Sequence, residues 1–289
     1  MRSTTKIGAV RARSLGWLAA LALLAACSSV DPVQDGGFRV SQAWVQKQPV
    51  PLLVPVYKKN LTLDGAYRIQ RLALDSYYHG AAPAGFKAAL TNLESQRYYG
   101  ATAPAAAVLP AGSQLRPEEE GYRIALPSYR QGVVEVEIGY RFARRIDRPL
   151  PDVKALQASL QEILPAIELP DLAHTGEEPY RALDIIATNA GARHFIAGSG
   201  RASSVTDPNL INFTLYHDGE TVAQGTGRDV LDDQWQALLW LVNRTVASGW
   251  TIEPGQVLIT GSMGKAVPLQ KGIYVADYGR FGRVEWTVE

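Results

Sequence analysis

The chain has 289 residues, 46% of them hydrophobic, with 29 Lys and Arg against 28 Asp and Glu. That length and apolar content suit one large domain or two small ones with a real core, and exclude a chain that is disordered by default. Beyond the first dozen residues no stretch concentrates Lys and Arg, so the electrostatic footprint of a nucleic-acid binder is missing and small molecules are the expected partners.

The first 26 residues read as a targeting segment. Arg2, Lys6, Arg11 and Arg13 form a positive start, and Leu15 to Leu24 is an apolar run too short to span a ~30 Å hydrocarbon layer comfortably. The run ends in Leu24-Ala25-Ala26-Cys27, which resembles the lipobox of bacterial lipoproteins. Cys27 is the sole cysteine, so no internal disulfide can form, and the thiol is expected to be a lipid attachment point. Removing residues 1–26 takes four of the 29 basic residues and no acidic ones, leaving 25 against 28 and a charge of −3. Anchoring therefore rests on acyl chains, at about 0.8 kcal/mol per buried CH₂. Ser28 stands where an aspartate would, by resemblance to the Gram-negative sorting rule, favour the inner membrane. The expected location is the outer membrane, facing the periplasm.

From Ser28 to about Gly37 the chain is polar and contains glycine, as a tether would. Pro49, Pro51 and Pro55 argue against helix over Gln42 to Tyr57 and suggest an extended segment laid on the surface. Residues 27–59 are thus read as tether and extended segment, and 60–289 as one α+β domain, since no linker divides it. Ala66, Ile69, Leu72, Ala73 and Leu74 predict a helix over Leu63 to Tyr78, stopped at His79-Gly80. Val134, Val136 and Ile138 alternate with Glu135, Glu137 and Gly139, the period of a strand with one apolar face. Val153, Leu156, Leu160, Ile163, Leu164 and Ile167 recur at three and four residues after Pro151-Asp152. They predict a helix that Pro165 ends or kinks, followed by a short strand at Ile167-Glu168-Leu169. Asp218-Gly219 signals a hairpin turn between Phe213–Tyr216 and Glu220–Val222. Trp235, Leu238, Leu239, Val242 and Val246 mark a core helix within Asp229 to Ser248, and strands follow at Val257–Thr260, Ile273–Tyr278 and Val284–Val288.

Glu135 and Glu137 point the same way from one strand, ~6.6 Å apart along the backbone, and can converge on one cation. With Glu168 they make a hard oxygen set suited to Mg²⁺, Mn²⁺ or Ca²⁺. The bland alternative is a solvated Glu-x-Glu on an edge strand. His79, His174, His194 and His217 have no ligand spacing, and Gly198-Ser199-Gly200 lacks the setting of a phosphate loop.

Several separated segments carry a resemblance to a known family. Gly132-Val133-Val134-Glu135-Val136-Glu137-Ile138 resembles the segment with two metal-binding glutamates in the fumarylacetoacetate hydrolase and 2-keto-4-pentenoate hydratase family. Ile163-Leu164-Pro165-Ala166-Ile167-Glu168 resembles the segment supplying the third. Gly85-Phe86-Lys87-Ala88-Ala89-Leu90-Thr91 is similar to the family's Gly-x-Lys-x-Gly-Leu-Thr, whose lysine lies in the active site. Ala66 to Gln70 and Gln234 through Ser262 match as well, so the similarity covers about residues 60 to 289.

The resemblance implies a mixed β-roll or barrel with peripheral helices and a Mg²⁺ or Mn²⁺ ion on Glu135, Glu137 and Glu168. It implies Lys87 as a proton shuttle or electrostatic partner, a better base if burial lowers its pKa. Asn189, Thr260, Gly261 and Ser262 are the expected substrate-binding residues, 260–262 by hydrogen bonds to a carboxylate. A surface lysine and a plain turn are the alternatives for Lys87 and for 260–262. The implied activity is a metal-dependent hydratase, a lyase acting on a small 2-oxo acid or 2-hydroxydienoate, with a homo-oligomer possible. Two departures bear on reaction type: Tyr98-Tyr99-Gly100 stands where hydratases carry an acidic residue before Phe-Gly, and Thr188-Asn189-Ala190-Gly191 stands for Asp-Asn-Ala-Ser. A decarboxylase, tautomerase or hydrolase reaction, or a binding lipoprotein without catalysis, therefore stays open.

Overall fold

A computed structural model describes residues 31–201 and 207–289; the targeting segment, Cys27 and Ser28 lie outside them. Asp31 caps the first helix through Val33 N (2.9 Å), and Pro32 at its first position has no N–H to leave unpaired. The result is α1 (Pro32–Val45), followed by α2 (Val54–Tyr57) and α3 (Leu63–Tyr78). Thr62 caps α3 through Gly65 N, and His79 ends it in the left-handed region, as the periodicity predicts.

Residues 27–59 were expected to be tether and extended segment, and over the described residues 31–59 the structure differs. Val33, Val40 and Ala43 of α1 are buried against α3, and the compact unit begins at Asp31. The reason is Gly36-Gly37: a Cβ on Gly36 would lie 2.7 Å from Ile69 Cδ1, and one on Gly37 2.9 Å from Leu72 Cβ. Both glycines, which look like tether composition, allow two helices to pack closely. Pro49 and Pro51 hold only the stretch between α1 and α2 out of helix, whereas Pro55 opens α2.

The strands follow as β1 (Gly85–Ala89), β2 (Ala105–Leu109), β3 (Tyr122–Ile124), β4 (Val133–Phe142), β5 (Leu160–Leu169) and β6 (His194–Ala197). Then come β7 (Asn212–His217), β8 (Glu220–Thr226), β9 (Val257–Ile259), β10 (Val267–Pro268), β11 (Gly272–Asp277) and β12 (Arg283–Val288). Helices α4 (Leu93–Tyr99), α5 (Val153–Gln157), α6 (Ala182–Ala187) and α7 (Gln234–Ala247) lie between them. A seven-stranded mixed sheet runs β2-β1-β9-β4-β5-β6, with β10 added to β4; a five-stranded sheet runs β3-β12-β11-β7-β8. The β7–β8 hairpin turns at Asp218-Gly219, both at positive φ, as expected of that dipeptide. Helix α7 buries Ala237, Leu238, Leu241 and Val242, a stripe turned slightly from the predicted one, so that Trp235, Leu239 and Val246 sit at its edge. Among the described residues no helix is long and apolar enough to cross a membrane.

The second difference is at 153–169. The predicted helix stops at Gln157 and Leu160 opens a ten-residue strand. Strand β5 is paired on both edges, by β4 and β6, and from Ile163 onward is buried on both faces, so Ile163 to Ile167 is an unbroken apolar run; such a run fits a helical template as well as a buried strand. Pro165 survives mid-strand, its carbonyl accepting from Gly198 N (2.8 Å).

Strand alternation divides the large sheet into two faces. Val134, Val136, Ile138 and Tyr140 join the main core with α3 and α7, while Leu109, Leu164, Ala166, Phe195, Val257 and Ile259 form a separate small core on the other face. Glu135, Glu137 and Glu168 are on that second face.

Candidate metal centre

Register brings the acidic residues together. Glu135 of β4 is the Cα partner of Glu168 of β5, whose other neighbour is Phe195 of β6, and Glu137 sits two residues along β4 opposite Ala166. One carboxylate oxygen from each glutamate lies within 4.8 Å of those of the other two. Glu137 and Glu168 are fully buried, while Glu135 is half-buried. The alternative of a solvated edge strand is excluded, since β4 is interior to the sheet.

Lys87 enters from β1. Its Nζ donates to Glu168 Oε1 at 2.5 Å and to the carbonyl of Ala190 at 3.2 Å, and its side chain is 2% exposed. It is thus no surface lysine. Burial was expected to lower its pKa, and burial is indeed the largest single influence, pushing it down. The carboxylates of Glu168, Glu135 and Glu137 together outweigh it and hold the ammonium above the ordinary lysine value. Burial raises Glu137 well above the usual carboxylate range, with Glu168 and Glu135 adding to it against Lys87 and the Gly261 N–H. Glu168 is also raised by burial, with Lys87 opposing.

Three carboxylates against one ammonium leave a formal charge of −2 inside the fold. Two buried oxygens, Glu137 Oε1 and Glu168 Oε2, have no hydrogen-bond partner, although such atoms are normally satisfied. Hard oxygen donors, a −2 balance and two unpartnered lone-pair atoms fit a divalent cation.

The other expected residues divide by what already engages them. Gly261 N donates to Glu137 Oε2 at 2.7 Å, and its φ of +104° together with a Cβ position 2.2 Å from Thr91 Oγ1 requires glycine there. Thr260 is buried and its hydroxyl donates to Gln234 Oε1 (2.6 Å), which also accepts from Tyr140 OH (2.9 Å). Ser262 Oγ is buried without a partner, so it is the hydroxyl of this segment free for a ligand. Asn189 is a strut: its amide accepts from Val108 N and donates to Val108 O, both 2.8 Å, bracing the left-handed turn whose Ala190 carbonyl holds Lys87. Tyr98 is 74% exposed at the end of α4, while Thr188 is buried and donates to the Asp184 carbonyl (2.8 Å). Half-buried Tyr99 packs with Leu90 and Tyr180 against Ala107, Ile185 and Ala190.

One supporting residue has no sequence signal. Tyr278 OH donates to the carbonyls of Ala166 (2.8 Å) and Glu137 (3.1 Å), tying β4 and β5 together beside the carboxylates; nothing marks it off from any aromatic at a strand end. Two clefts, of about 1070 and 760 Å³, are lined by none of the three glutamates. The carboxylates are the better guide to chemistry, because buried charge must be compensated and cleft volume need not be.

No family model matches the chain. A 4-oxalocrotonate decarboxylase from Pseudomonas sp is 27% identical over 238 residues, covering 82% of this chain and 90% of that one. A 2-keto-4-pentenoate hydratase from Burkholderia vietnamiensis is 29% identical over 226 residues, covering 77% and 84%. Among solved structures, 4-oxalocrotonate decarboxylase from Pseudomonas putida G7, complexed with magnesium and adipate, superposes with a TM-score of 0.80 at 20% identity, over 89% of this chain and 97% of that one. The fold is fumarylacetoacetate hydrolase-like. A more distant structure of this fold, fumarylpyruvate hydrolase from Pseudomonas aeruginosa in complex with Mn²⁺ and pyruvate, matches at a TM-score of 0.53 and 15% identity, over 70% and 88%. Within this fumarylacetoacetate hydrolase-like fold a divalent metal is the cofactor consistent with the carboxylate cluster.

Proposed function

We propose that this chain is a metal-dependent enzyme acting on a small 2-oxo acid or its 2-hydroxydienoate, of the 2-keto-4-pentenoate hydratase type. The carrying observation is the convergence of Glu135, Glu137 and Glu168, with two oxygens unpartnered, around a charge deficit that a divalent cation neutralises. Bound there, Mg²⁺ or Mn²⁺ would supply Lewis acidity toward the carboxylate and 2-oxo oxygen of such a substrate.

The chain's own groups have assignable parts. Glu168 and the Ala190 carbonyl hold Lys87 as an ammonium, so it acts as proton donor or positive neighbour to developing negative charge, not as a base in the resting protein. Ser262 Oγ is free to donate to a substrate carboxylate. The apolar cluster of Ala107, Ile185 and Ala190, with Tyr99 and Leu90, borders Lys87 and limits water there.

A decarboxylase reading is favoured by one observation: Tyr98 and Thr188 bring no carboxylate where the resemblance expects acidic groups, so the groups that would place water are altered. The reading is supported by likeness to both decarboxylases and hydratases. The same assay separates the two. The lipid-free domain with Mg²⁺ or Mn²⁺ is offered 2-hydroxydienoates and 2-oxo acids, following ultraviolet absorbance for hydration and carbon dioxide for decarboxylation. No turnover of any of them leaves the non-catalytic binding lipoprotein in place. The same proposal holds Cys27 to be acylated and the protein anchored in the outer membrane facing the periplasm; the lipobox-like Leu24–Cys27 and Ser28 support it.

A further inference from the structure

The 760 Å³ cleft lies on the other side of the large sheet from the carboxylates. Glu168 and its β6 partner Phe195 face the small core, so His194, one residue before Phe195, faces the opposite way, and it lines this cleft. The walls are the end of α1, the end of α3, and the loops around residues 110–113, 127–130 and 188–193.

Two polar groups in it lack partners. Ser113 is 3% exposed and its Oγ makes no hydrogen bond; the Phe195 N–H holds its carbonyl at 2.9 Å, which places it beside His194. Arg193 Nε is buried and unbonded, its nearest acidic oxygen, Asp171 Oδ2, lying 3.8 Å from Nη1. Its guanidinium sits 5.0 Å over the Tyr129 ring. Tyr129 OH meets His194 Nδ1 at 2.6 Å. Burial, then the Arg193 charge, push His194 down to about 4, so the ring is neutral at pH 7, takes the phenol proton on Nδ1 and presents Nε2–H as a further donor. Lys47 and Arg130 add positive charge to the rim against Asp171. Trp44, Tyr77 and Tyr78 line the same cleft and form an edge-to-face aromatic series, with centroids 5.7 and 4.7 Å apart.

A cluster of donors with net positive charge beside an aromatic wall has one complementary ligand chemistry: an anion carried on a flat apolar body. We propose that this cleft is a second binding site, separate from the carboxylate centre, for an aromatic carboxylate whose anionic end meets Arg193 and Ser113 and whose ring packs on Trp44 and Tyr77. Its volume is in the range of small-molecule sites. Ser113 Oγ and Arg193 Nε, otherwise costly to bury bare, are satisfied by the ligand.

The test is calorimetric titration of the metal-free domain, kept in chelator, with benzoate as the aromatic probe and inorganic phosphate as an anion without a ring. Saturable benzoate binding is expected, weakened at least tenfold by Arg193→Gln and by Ser113→Ala, unchanged by Glu137→Gln, and at least tenfold tighter than phosphate. Melting curves of the two cleft variants report whether they fold. Were Arg193→Gln not to fold, the Ser113→Ala titration decides alone. Absent benzoate binding, binding indifferent to Ser113→Ala, phosphate binding as tight as benzoate, or loss on Glu137→Gln each overturns the proposal. Because metal is excluded, failure here leaves the metal-centre reading standing, and the reverse holds.

Discussion

Glu135 and Glu168 are direct cross-strand partners in the β4–β5 pair, an arrangement that places like charges opposite each other and is destabilising on its own. Their oxygens lie within 4.8 Å, and at that outer separation and an effective dielectric constant of about 20 one fully ionised carboxylate pair costs about 3.5 kcal/mol. Lys87 offsets part of this, and a divalent cation would offset the rest. Mg²⁺ or Mn²⁺ should therefore raise the melting temperature, the gain reaching about 2.7 kcal/mol at 100 times the dissociation constant. Glu137→Gln should weaken that shift and leave the metal-free protein as stable or more so. A wild-type melt unmoved by millimolar Mg²⁺ or Mn²⁺, with no heat of binding, removes the metal centre.

The same carboxylates set a pH dependence with a definite sign. Burial, then Glu168 and Glu135, raise Glu137 above its unfolded value, so the folded metal-free protein binds a proton that the unfolded chain has released. Its contribution is present below the unfolded carboxylate value and lost as pH rises toward the folded one. His194, lowered to about 4, works oppositely, its contribution growing as pH rises from about 4 through the unfolded histidine value of about 6.5. Comparing wild type with Glu137→Gln isolates the carboxylate part. In urea titrations without metal the wild-type domain should lose stability relative to the variant as pH rises from the unfolded glutamate value of about 4.3 toward the raised folded one. The stabilisation by Mg²⁺ should grow over that interval, because the cation needs ionised ligands. Parallel curves for the two proteins would contradict the assignment.

What could be read from sequence was whatever a local period reports. Glu135 and Glu137 share a face because β4 alternates, and His79 and Asp218-Gly219 mark real stops and turns. Strand β5 was illegible because two-sided burial removes the alternation that distinguishes strand from helix, leaving apolar intervals that suit either. Lys87 was legible as a site residue only through the family-like motif, and its charge state not at all, since that depends on carboxylates 48 to 81 positions away in sequence. Helix α1 was lost because Gly-Gly and nearby prolines have the composition of a tether, while the reason for those glycines lies on α3.

That reading of α1 makes its own prediction. Gly37→Leu would drive a side chain into Leu72, whose Cβ is 2.9 Å from where a Cβ would start, and should destabilise the domain by about 1–3 kcal/mol. A surface tether would tolerate the change. The urea midpoint of the purified domain measures it, and an unshifted midpoint would mean that α1 does not pack on α3.

Cys27→Ser should abolish incorporation of labelled palmitate and leave the precursor uncleaved at Ala26-Cys27, since only the thiol can be acylated there. Mature wild-type protein should fractionate with the outer membrane. Undiminished labelling of the variant removes the anchor, and fractionation wholly with the inner membrane removes the assignment based on Ser28.

Lys87 supplies the sharpest prediction, because its removal should move stability and metal affinity in opposite directions. Lys87→Met keeps a side chain of similar length but withdraws the positive charge 2.5 Å from Glu168, leaving three carboxylates unopposed. Breaking a buried pair by removing one partner costs about 3–5 kcal/mol, and the metal-free variant should lose stability on that scale. Adding Glu168→Gln should recover part of the loss, since the amide needs no counter-ion, and the double-mutant cycle should show a coupling of about 1–3 kcal/mol. The single variant, with a site of charge −3 in place of −2, should bind Mg²⁺ more tightly, on the order of tenfold or ~1.4 kcal/mol. Turnover should fall nevertheless, because the ammonium beside the substrate is gone. Calorimetry on the folded variant and urea melts of all four members of the cycle check each part. Weaker metal binding together with unchanged turnover would show that Lys87 organises the glutamates and takes no part in the chemistry.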